Sequence, residues 1–331
     1  MSEGNGVLVV GELSEARLIA TTSELLNAGG KLANSLGQPL HAVLLGTNLS
    51  NASKEAASLG AGKVFLAEHM LLDEGHVEAH VTALQQVCQQ AQPSVLLIAR
   101  TQLGREVGPR LAFRLGVGLA QDAVGVSVDP DTKKLLVTRP VYGGNALAVV
   151  ALSCIPQIVT VRPKAFEVAA KDESLRGEVV RVPVEIPTSV VRTRVVERVS
   201  GEAAGVKLEE ARVVVAGGRG LGGPEPFQEL EKLAKLLGGT IGASRPACDA
   251  GWIDARSQIG LTGKTITPDL YVAVAISGAC QHMAGCSGAK VIVAVNNDPK
   301  ADIFKEARYG VVGDWRKILP AFTEAVRELV R

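Results

Sequence analysis

The chain has 331 residues, more than one domain usually holds, and we therefore expect two domains, each with its own hydrophobic core. Hydrophobic residues make up 47% of it and charged residues 21%, and the hydrophobic residues fall in short runs, which is typical of a globular α/β protein without a membrane-spanning segment. The formal net charge of +1 argues against a nucleic-acid-binding protein, because such proteins concentrate lysine and arginine to neutralise phosphates.

The N-terminal sequence MSEGNGVLVVGEL has neither the basic and apolar regions of a secretory signal nor an arginine-rich amphipathic stretch. We therefore expect a cytoplasmic protein, and a mitochondrial matrix protein only if the chain is a processed form. The cysteines form no CxxC pair and lie mostly in apolar segments, which favours reduced, buried thiols. They are Cys88, Cys154, Cys248, Cys280 and Cys286.

The first half of the chain alternates short apolar runs with amphipathic stretches, the pattern of a parallel sheet covered by helices. Predicted strands are GVLVVGEL, HAVLLG, KVFLAE and SVLLIAR, and predicted helices include one from about Ser14 to Leu36 and one through GREVGPRLAFRLG. From about Ala123 the pattern changes to strand, turn, strand, with turns at DPD (129–131) and GGN (143–145). We therefore predict an N-terminal α/β domain over residues 1–190 with added antiparallel strands.

A charged, β-branched segment follows over residues 167–210, where we expect one or two edge strands and a linker at residues 191–210. Strands are then predicted at ARVVVAGG, TIGAS, DLYVAVAIS, KVIVAVN and GVVGD, with helices at about 226–237, about 302–307 and at the C-terminus. This alternation predicts a doubly wound parallel sheet over residues 211–331. Ligands bind such sheets at the carboxyl ends of the strands, so the residues that follow each strand are candidates for a site.

The loop GGRGLGG follows the first of these strands and matches GxGxxG at Gly218, Gly220 and Gly223. A dinucleotide fingerprint opens a helix directly and has an acidic residue at the end of the second strand. Here two prolines delay the helix, and the second strand ends in Ser244 and Arg245. The loop is therefore either a weak nicotinamide site or a flexible turn with an exposed Arg219.

Five further stretches carry residues suited to a ligand. Ser244 and Arg245, and the stretch Gln258–Gly263, supply hydroxyl groups and backbone N–H groups. At Ser277–Ala279 we expect a helix to begin, whose free N–H groups and positive dipole end would bind a pyrophosphate. Asn296 and Asp314 follow two more strands and are suited to a ribose or an adenine edge.

Histidines offer two further candidates. His282 lies about one turn into the helix expected after Ala279, where it is either a satisfied core or surface histidine or part of the ligand site. His76 and His80 have the i, i+4 spacing of metal ligands, but no third ligand is evident and a solvated helix face is favoured, so we expect no metal site. No Ser-His-Asp order, paired-carboxylate cleft or Walker lysine stands out, which indicates that a bound cofactor performs the chemistry.

Several of these stretches resemble the FAD-binding domain of the electron-transfer flavoprotein alpha subunit. They are GGRG (217–220), SRPACDAG, QIGLTGK and LYVAVAISGACQHMAG with VIVAVN. GREVGPRLAFRLG and RPVYGGNALA resemble the N-terminal domain of that family, so the resemblance covers essentially the whole chain.

The resemblance implies an electron carrier rather than a substrate-converting enzyme, in a heterodimer with a beta subunit. This chain would hold one FAD, and the beta subunit AMP or a second FAD. Electrons would come from an acyl-CoA or related dehydrogenase of β-oxidation, or from NADH through the beta subunit. They would pass to a quinone oxidoreductase or to a low-potential ferredoxin or flavodoxin. SRP followed by DAGW is closer to the nitrogen-fixation-associated and electron-bifurcating members, which suggests a bacterial or archaeal complex.

Carried over by position, the resemblance also implies residue roles. Arg219, Arg245, Thr262 and His282 would tune the flavin, with Arg219 against the isoalloxazine ring, Thr262 near N5 and His282 on the O2/N1 side. The expected cofactor-binding residues are Arg219, Ser244, Arg245, Gln258, Ile259, Gly260, Leu261, Thr262, Ser277, Gly278, Ala279, Cys280, Gln281, His282, Asn296, Asp314 and Trp315.

Two positions depart from the family pattern, and two other functions stay open. Cys280 replaces the usual branched aliphatic residue and Ala275 a common glycine, both beside the expected ligand. An NADP-dependent dehydrogenase would use the Gly218-Gly220-Gly223 loop with Arg245 on a 2′-phosphate, whereas an interaction scaffold would bind no cofactor.

Overall fold

The structure is a computed structural model that describes residues 4–144, 146–193, 195–197 and 207–330. By their internal contacts, the residues form two compact units, Met1–Val141 with Ala146–Arg198, and Tyr142–Asn145 with Val199–Arg331. Outside the described residues lie position 145 of the second predicted turn, positions 194 and 198–206 of the predicted linker, and position 331 of the final helix. The domain limits predicted from the sequence stay a prediction.

The N-terminal unit alternates strands and helices as the apolar pattern predicts. Its elements are β1 (Val7–Gly11), β2 (Leu13–Ser14), β3 (Arg17–Leu18), α1 (Ala20–Leu36), β4 (Leu40–Gly46), α2 (Ser50–Ser58), β5 (Lys63–Glu68), α3 (Val77–Ala91), β6 (Val95–Ala99), α4 (Gly104–Leu115), β7 (Leu119–Ala123), β8 (Gly125–Val128), β9 (Leu135–Val141), β10 (Ala146–Ala151), β11 (Gln157–Val161) and β12 (Glu178–Arg181).

The main sheet of this unit is parallel, in the order β12-β5-β4-β1-β6-β11-β7. Its central strands are apolar on both faces, as parallel sheets between helix layers require. In β1, Val7 and Val9 join one hydrophobic cluster with α1 and α2, and Leu8 and Val10 join a second with α3 and α4. The edge strand β12 lies in the segment where one or two edge strands were predicted.

The predicted antiparallel strands are present as a separate sheet in the order β10-β9-β8. The prediction of a helix beginning at Ser14 was wrong. The hairpin β2-β3 occupies this stretch, and α1 begins only at Ala20. The turn residues of this hairpin, Glu15 and Ala16, have φ values of 51° and 60°. Neither residue type favours such backbone angles, so no local turn signal marked the hairpin.

The C-terminal unit contains a second series of alternating elements. They are β13 (Val213–Gly217), α5 (Phe227–Leu236), β14 (Thr240–Ser244), α6 (Arg245–Asp249), β15 (Gln258–Ile259), β16 (Leu270–Val274), α7 (Cys280–Met283), β17 (Val291–Asn296), α8 (Ile303–Glu306), β18 (Tyr309–Val312) and α9 (Trp315–Val330). Short 3₁₀ turns lie at Met70–Leu72, Tyr142–Gly144, Thr188–Val190, Arg219–Leu221 and Ala255–Ser257.

All neighbours in the second sheet are parallel, in the order β15-β14-β13-β16-β17-β18. The chain adds strands outward on one side from β13 and then on the other side from β16, so the topological switch point lies between these two strands. Hydrophobic clusters cover both faces, one with α5 and α9 and the other with α7 and α8. The predicted fold class, an α/β domain with antiparallel strands followed by a doubly wound parallel domain, is confirmed.

Candidate functional site

A cavity of about 840 Å³ lies at the carboxyl edge of the C-terminal sheet, beside the switch point. We call it the large cavity. It is lined by Arg219, Gly220, Ser244, Arg245, Pro246, Gln258, Ile259, Gly260, Leu261, Thr262, Ala275, Ile276, Ser277, Ala279, Gln281, His282, Asn296, Asn297, Asp298, Lys300, Ala301 and Asp302. The strand-end loops selected from the sequence therefore meet around one space.

Four of the predicted residues do not line the large cavity. Gly278 is buried, and Cys280 is exposed on the first turn of α7. Asp314 and Trp315 line an adjacent small cavity of about 120 Å³, which shares Gly220, Ala275, Asn296 and Asn297 with the large one. Asp314 and Trp315 therefore lie beside the large cavity and do not line it. Their role at the adenosine end of the ligand stays a prediction.

The sequence analysis missed the segment after β17. Asn297, Asp298, Lys300, Ala301 and Asp302 all line the large cavity. They form a polar loop whose sequence resembles any surface connection, and only its position after a strand of the sheet could have indicated a role.

The glycine loop after β13 is pressed against the end of β16. The Gly218 N–H donates to the Val274 carbonyl at 2.9 Å, and a β-carbon at Gly218 would overlap the carbonyl oxygen of Ala275. Arg219 to Leu221 form a 3₁₀ turn, and α5 begins only at Phe227. Because no helix opens directly from the glycines, the geometry of a nicotinamide fingerprint is not met.

The connection after β16 leaves three backbone donors free. The N–H groups of Ser277, Gly278 and Ala279 donate to no other described backbone group, whereas the Ser277 carbonyl accepts from Ile303 N–H at 3.0 Å. A helix begins here as expected, but α7 has only four residues, so its dipole contributes little. Anion binding at this point would depend on the free N–H groups themselves.

The loop after β15 is fastened to α7. Leu261 N–H donates to the Gln281 carbonyl at 2.7 Å. Gly260 has φ 144°, and a β-carbon there would lie 2.9 Å from the Gln281 oxygen. Within the loop, Gln258 Nε2 donates to Thr262 Oγ1 at 3.0 Å. Residues 258–262 and residues 281–282, which are distant in the sequence, therefore form one wall of the large cavity.

His282 is a buried histidine with two protein partners. It is 7% exposed, its Nε2 lies 2.7 Å from the Tyr271 hydroxyl oxygen, and its Nδ1 lies 3.1 Å from the Ile259 carbonyl oxygen. Burial lowers the pKa of the imidazole to about 4, so it is neutral at pH 7. Both ring nitrogens therefore have protein partners, while His282 also lines the large cavity, and its donation to a flavin stays a prediction. Tyr271 itself was missed, because a tyrosine inside an apolar strand is typical of a core.

The charged side chains around the large cavity are mixed. Arg245 pairs with Asp249 at 3.3 Å, and Asp302 pairs with Lys305 at 2.7 Å. Arg219 is exposed and forms no salt bridge with any residue that the structure describes. It is therefore a cation available to an anionic ligand.

The small cavity holds an unused donor. The Trp315 indole N–H is buried without a hydrogen-bond partner among the described residues, and the Arg316 guanidinium lies 4.9 Å from the ring centroid. Asn296, by contrast, uses its amide within the protein, since Nδ2 donates to the Ile276 carbonyl at 2.9 Å and Oδ1 accepts from Asp298 N–H at 2.9 Å. Trp315 therefore has a free polar group for a ligand, and Asn296 mainly fixes the loops.

The i, i+4 histidines contact protein groups. His76 Nε2 lies 2.8 Å from Glu74 Oε2, and His80 Nδ1 donates to the His76 carbonyl at 2.9 Å. Within residues 4–144, 146–193, 195–197 and 207–330 no three histidine, cysteine or acidic side chains converge on a possible metal site. None of the helices in the described part of the chain is long and apolar enough to span a bilayer.

A doubly wound domain with a large cavity at its switch point defines a nucleotide-cofactor-binding protein. The chain matches the family model of the electron transfer flavoprotein domain over residues 7–187, and that of the electron transfer flavoprotein FAD-binding domain over residues 207–287. The chain therefore belongs to the electron transfer flavoprotein alpha subunit family, whose function is electron transfer and whose C-terminal domain binds a flavin.

Curated relatives match over nearly the whole chain. An electron transfer flavoprotein subunit alpha of Thermoanaerobacterium thermosaccharolyticum is 40% identical over 99% of this chain and 100% of its own length. Protein FixB of Clostridium saccharobutylicum is 38% identical over 100% and 98%, respectively. The subunit LctC of the NAD(+),ferredoxin lactate dehydrogenase of Acetobacterium woodii is 35% identical over 95% and 75%. The resemblance found in the sequence is confirmed.

Proposed function

We propose that this chain is the FAD-carrying alpha subunit of a heterodimeric electron-transfer flavoprotein, paired with a beta subunit that holds AMP or a second FAD. The observation that carries the proposal is the convergence of the strand-end loops of the FAD-binding domain around one cavity of about 840 Å³. Cofactor sites usually have volumes of roughly 300–1,000 Å³, so the large cavity has the size that a dinucleotide needs.

The residues around the cavity suit FAD chemically. A pyrophosphate needs N–H donors and positive charge, and the cavity is lined by Ser277 and Ala279, whose N–H groups are free, and by the exposed Arg219. An adenosine end offers acceptors, which the unused Trp315 indole N–H in the small cavity can meet. FAD, when bound, supplies one- and two-electron transfer; the chain binds it, orients it and sets its potential.

We assign residue roles accordingly. Arg219, Arg245 and Thr262 would contact the isoalloxazine region, and the backbone of Gly260 and Leu261 would line it. Ser277 to Gln281 would contact the ribityl-pyrophosphate part, with Gly278 and Cys280 contributing through the backbone. Asp314 and Trp315 would lie at the adenosine end.

Arg219 gives the sharpest test of these roles. A cation about 5 Å from a developing negative charge, at an effective dielectric constant of about 20, is worth roughly 3 kcal/mol, or on the order of 0.1 V for one electron. Arg219 is exposed, so solvent weakens this effect and Arg219→Ala is expected to lower the flavin reduction potential by a few tens of millivolts.

A potentiometric titration of the FAD-loaded heterodimer measures this shift. The matched control is Arg212→Ala, which removes an exposed arginine paired with Asp269 at 2.7 Å outside the large cavity. Equal potentials and spectra for wild type and both variants would show that Arg219 is an exposed turn residue without effect on the flavin.

Donors, acceptors and compartment form part of the proposal. We propose a cytoplasmic bacterial or archaeal protein that takes electrons from an acyl-CoA or related dehydrogenase of β-oxidation, or from NADH through the beta subunit. It would pass them to a quinone oxidoreductase or to a low-potential ferredoxin or flavodoxin. The similarity to a subunit named for NAD(+) and ferredoxin supports the bifurcating version, and similarity to plain alpha subunits supports the simple carrier. An NADP-dependent dehydrogenase has no comparable support, because α5 does not begin at the glycine loop.

Co-expression with a beta subunit tests the proposal directly. Denaturation releases the bound nucleotides, which are then separated and counted per heterodimer. One FAD with one AMP indicates a simple carrier, and two FAD indicate a bifurcating complex. A colourless heterodimer that binds no added FAD contradicts the proposed function.

A further inference from the structure

A second cavity lies within the N-terminal unit, at the carboxyl edge of its main sheet. Its volume is about 370 Å³, and small-molecule sites usually have volumes of roughly 300–1,000 Å³. It is lined by residues at the ends of β1 and β4, beside the switch point of this sheet between β1 and β6. We call it the N-terminal cavity. Parallel sheets with helices on both faces bind ligands at this place, and the flavin roles of the C-terminal unit do not use it.

Acidic side chains give the N-terminal cavity its charge. Glu12, Glu15 and Asp73 line it, and within the described part of the chain no lysine or arginine does. Asp73 is already paired, since it accepts from the Thr47 N–H at 2.8 Å and from the Thr47 hydroxyl at 2.7 Å. A phosphate or carboxylate ligand would meet like charge here and no cation. The N-terminal cavity therefore disfavours anionic ligands.

Glu12 has an oxygen without a partner. Its Oε1 accepts from the Thr101 hydroxyl at 2.6 Å, and its Oε2 has no hydrogen bond or salt bridge with any residue that the structure describes. Burial raises the pKa of this carboxyl to about 7, and no cation among the described residues opposes the effect. A positively charged ligand group would supply the missing counter-charge and would favour the ionised carboxylate.

His80, on α3, adds a second acceptor. It lines the N-terminal cavity and is only 7% exposed, and its Nδ1 donates to the His76 carbonyl at 2.9 Å. Burial lowers the pKa of the ring, which is therefore neutral at pH 7 with Nε2 as its acceptor. No group in the described ranges donates to Nε2. Because a buried acceptor normally has a partner, a donor on a ligand suits this nitrogen.

The remaining wall is apolar. Val10, Leu45, Leu84 and Ile98 line the N-terminal cavity and are at most 6% exposed. A ligand that fills it therefore needs an apolar body as well as a charged donor. A bare metal ion has no such body, and no three histidine, cysteine or acidic side chains of the described residues could hold one. An ammonium group on an apolar body meets both needs, because it carries positive charge and three N–H donors.

We propose that the N-terminal cavity binds a small organic cation, a protonated primary amine with an apolar body, whose ammonium group pairs with Glu12 and donates to Nε2 of His80. The apolar side chains of β1, β4, α3 and β6 would cover the body of the ligand. All of these residues belong to the N-terminal unit, so the proposal is independent of the flavin site.

Two probes that differ in one polar group test the proposal. Phenethylamine is charged at pH 7, and phenethyl alcohol has the same body with a neutral hydroxyl group. Isothermal titration calorimetry of the full heterodimer measures both affinities. We expect the amine to bind about tenfold more tightly, because hydrogen bonds between charged groups are roughly twice as strong as neutral ones. This comparison needs only wild-type protein, so it decides the ligand class even if a variant fails to fold.

Histidine labelled with ¹⁵N locates the bound amine. The Nε2 resonance of His80 should shift when phenethylamine is added, because this acceptor gains a donor. Loss of a signal in His80→Gln identifies it among the five histidines. The shift should saturate at the amine concentrations that saturate the calorimetric signal.

Glu12→Gln keeps the shape of the side chain and an acceptor for Thr101, and it removes the charge. Affinity for phenethylamine should fall about tenfold, while affinity for phenethyl alcohol should stay within about twofold of wild type. The matched control is Glu185→Gln, at an exposed residue of the same unit that does not line the N-terminal cavity. This control should change neither affinity.

Four results would each overturn the inference. They are no detectable binding of the amine, equal affinity for amine and alcohol, a His80 resonance that does not move while the amine is bound, and unchanged affinity for the amine in Glu12→Gln. The last result would assign the binding to another acidic group. Failure of the heterodimer to hold FAD would contradict the proposed function alone, because the N-terminal cavity shares no residue with the large cavity.

Discussion

Replacing Ala275 by glycine tests whether strain is built into the cofactor site. Ala275 follows β16 directly and has φ 55°, in the left-handed region that side chains other than glycine rarely adopt. Two hydrogen bonds hold it there: its N–H donates to the Val295 carbonyl at 2.8 Å, and its carbonyl accepts from Gly220 N–H at 3.3 Å. Glycine has no β-carbon and adopts this conformation freely, so the substitution removes the strain and leaves the backbone hydrogen bonds in place.

The magnitude follows from two opposing terms. A residue with a β-carbon in the left-handed region costs about 1–2 kcal/mol, which glycine does not incur. Glycine in turn loses about 0.5–1 kcal/mol more conformational entropy on folding. Ala275→Gly is therefore expected to stabilise the C-terminal unit by about 0.5–1 kcal/mol.

The matched control is Ala273→Gly, two positions earlier in β16. Ala273 is 1% exposed and has no positive φ, so glycine there relieves no strain and removes a buried methyl group. We expect a loss of about 1–2 kcal/mol. The two substitutions are chemically identical and should have opposite signs.

Urea unfolding of the full chain, stripped of nucleotide and followed by tryptophan fluorescence, measures both. The chain has two tryptophans, Trp252 and Trp315, and both belong to the C-terminal unit, so the signal reports this unit. Ala275→Gly should raise the midpoint by about 0.3 M urea. If both variants lower the midpoint, the assignment of strain to Ala275 is refuted.

Three further predictions concern pH and glycine. Burial lowers the pKa of His282 from 6.5 to about 4, so the unfolded state binds a proton at a higher pH than the folded state does. The free energy of unfolding should therefore fall by about 3 kcal/mol as the pH falls from 6.5 to 4. His282→Gln should flatten this part of the stability-against-pH curve measured by tryptophan fluorescence. Burial raises the pKa of Glu12 from 4.5 to about 7, so stability is greatest below pH 4.5 and falls as pH rises to 7, by about 3 kcal/mol. Glu12→Gln should abolish this slope in hydrogen exchange of the β1 amides, and a slope that persists would assign it to another group. Gly278 has φ 82°, and a β-carbon added there would overlap the backbone nitrogen of Ile303, so Gly278→Ala should cost several kcal/mol of stability in urea unfolding. Its control is Gly251→Ala, at φ 71° with open space around it, which should cost about 1 kcal/mol. Equal costs would show that the contact with Ile303 relaxes freely.

Much of the fold could be predicted because buried parallel strands are written as continuous apolar runs. Stretches such as VLVV, VLLIA and VIVAV coincide with β1, β6 and β17. The short hairpin at β2-β3 could not be predicted, because its turn residues Glu15 and Ala16 carry no turn signal. The short length of α7 was not predicted, although Gly285, two positions after its last residue Met283, is of the type that ends helices.

The candidate site was predictable as a set of loops and not as a set of contacts. In a doubly wound sheet the position at the end of each strand suffices to place Ser244, Ser277 and Asn296 at one edge. The loop of Asn297 to Asp302 was missed, because its residues are common in any surface turn. His282 was selected correctly as a residue of the cavity wall, but its partners were not foreseen.

The order of strands and helices, the loops that can meet a ligand, and the family could all be predicted from the amino-acid sequence, because apolar periodicity, glycine positions and long motifs are local properties of the chain. Three contacts became visible only in the folded protein: the hydrogen bond between Tyr271 and His282, the bond from Leu261 N–H to the Gln281 carbonyl, and the approach of Gly218 to the Ala275 carbonyl. These contacts join residues on different elements. Their distances depend on how the sheet twists and how closely its loops approach, which no local pattern specifies.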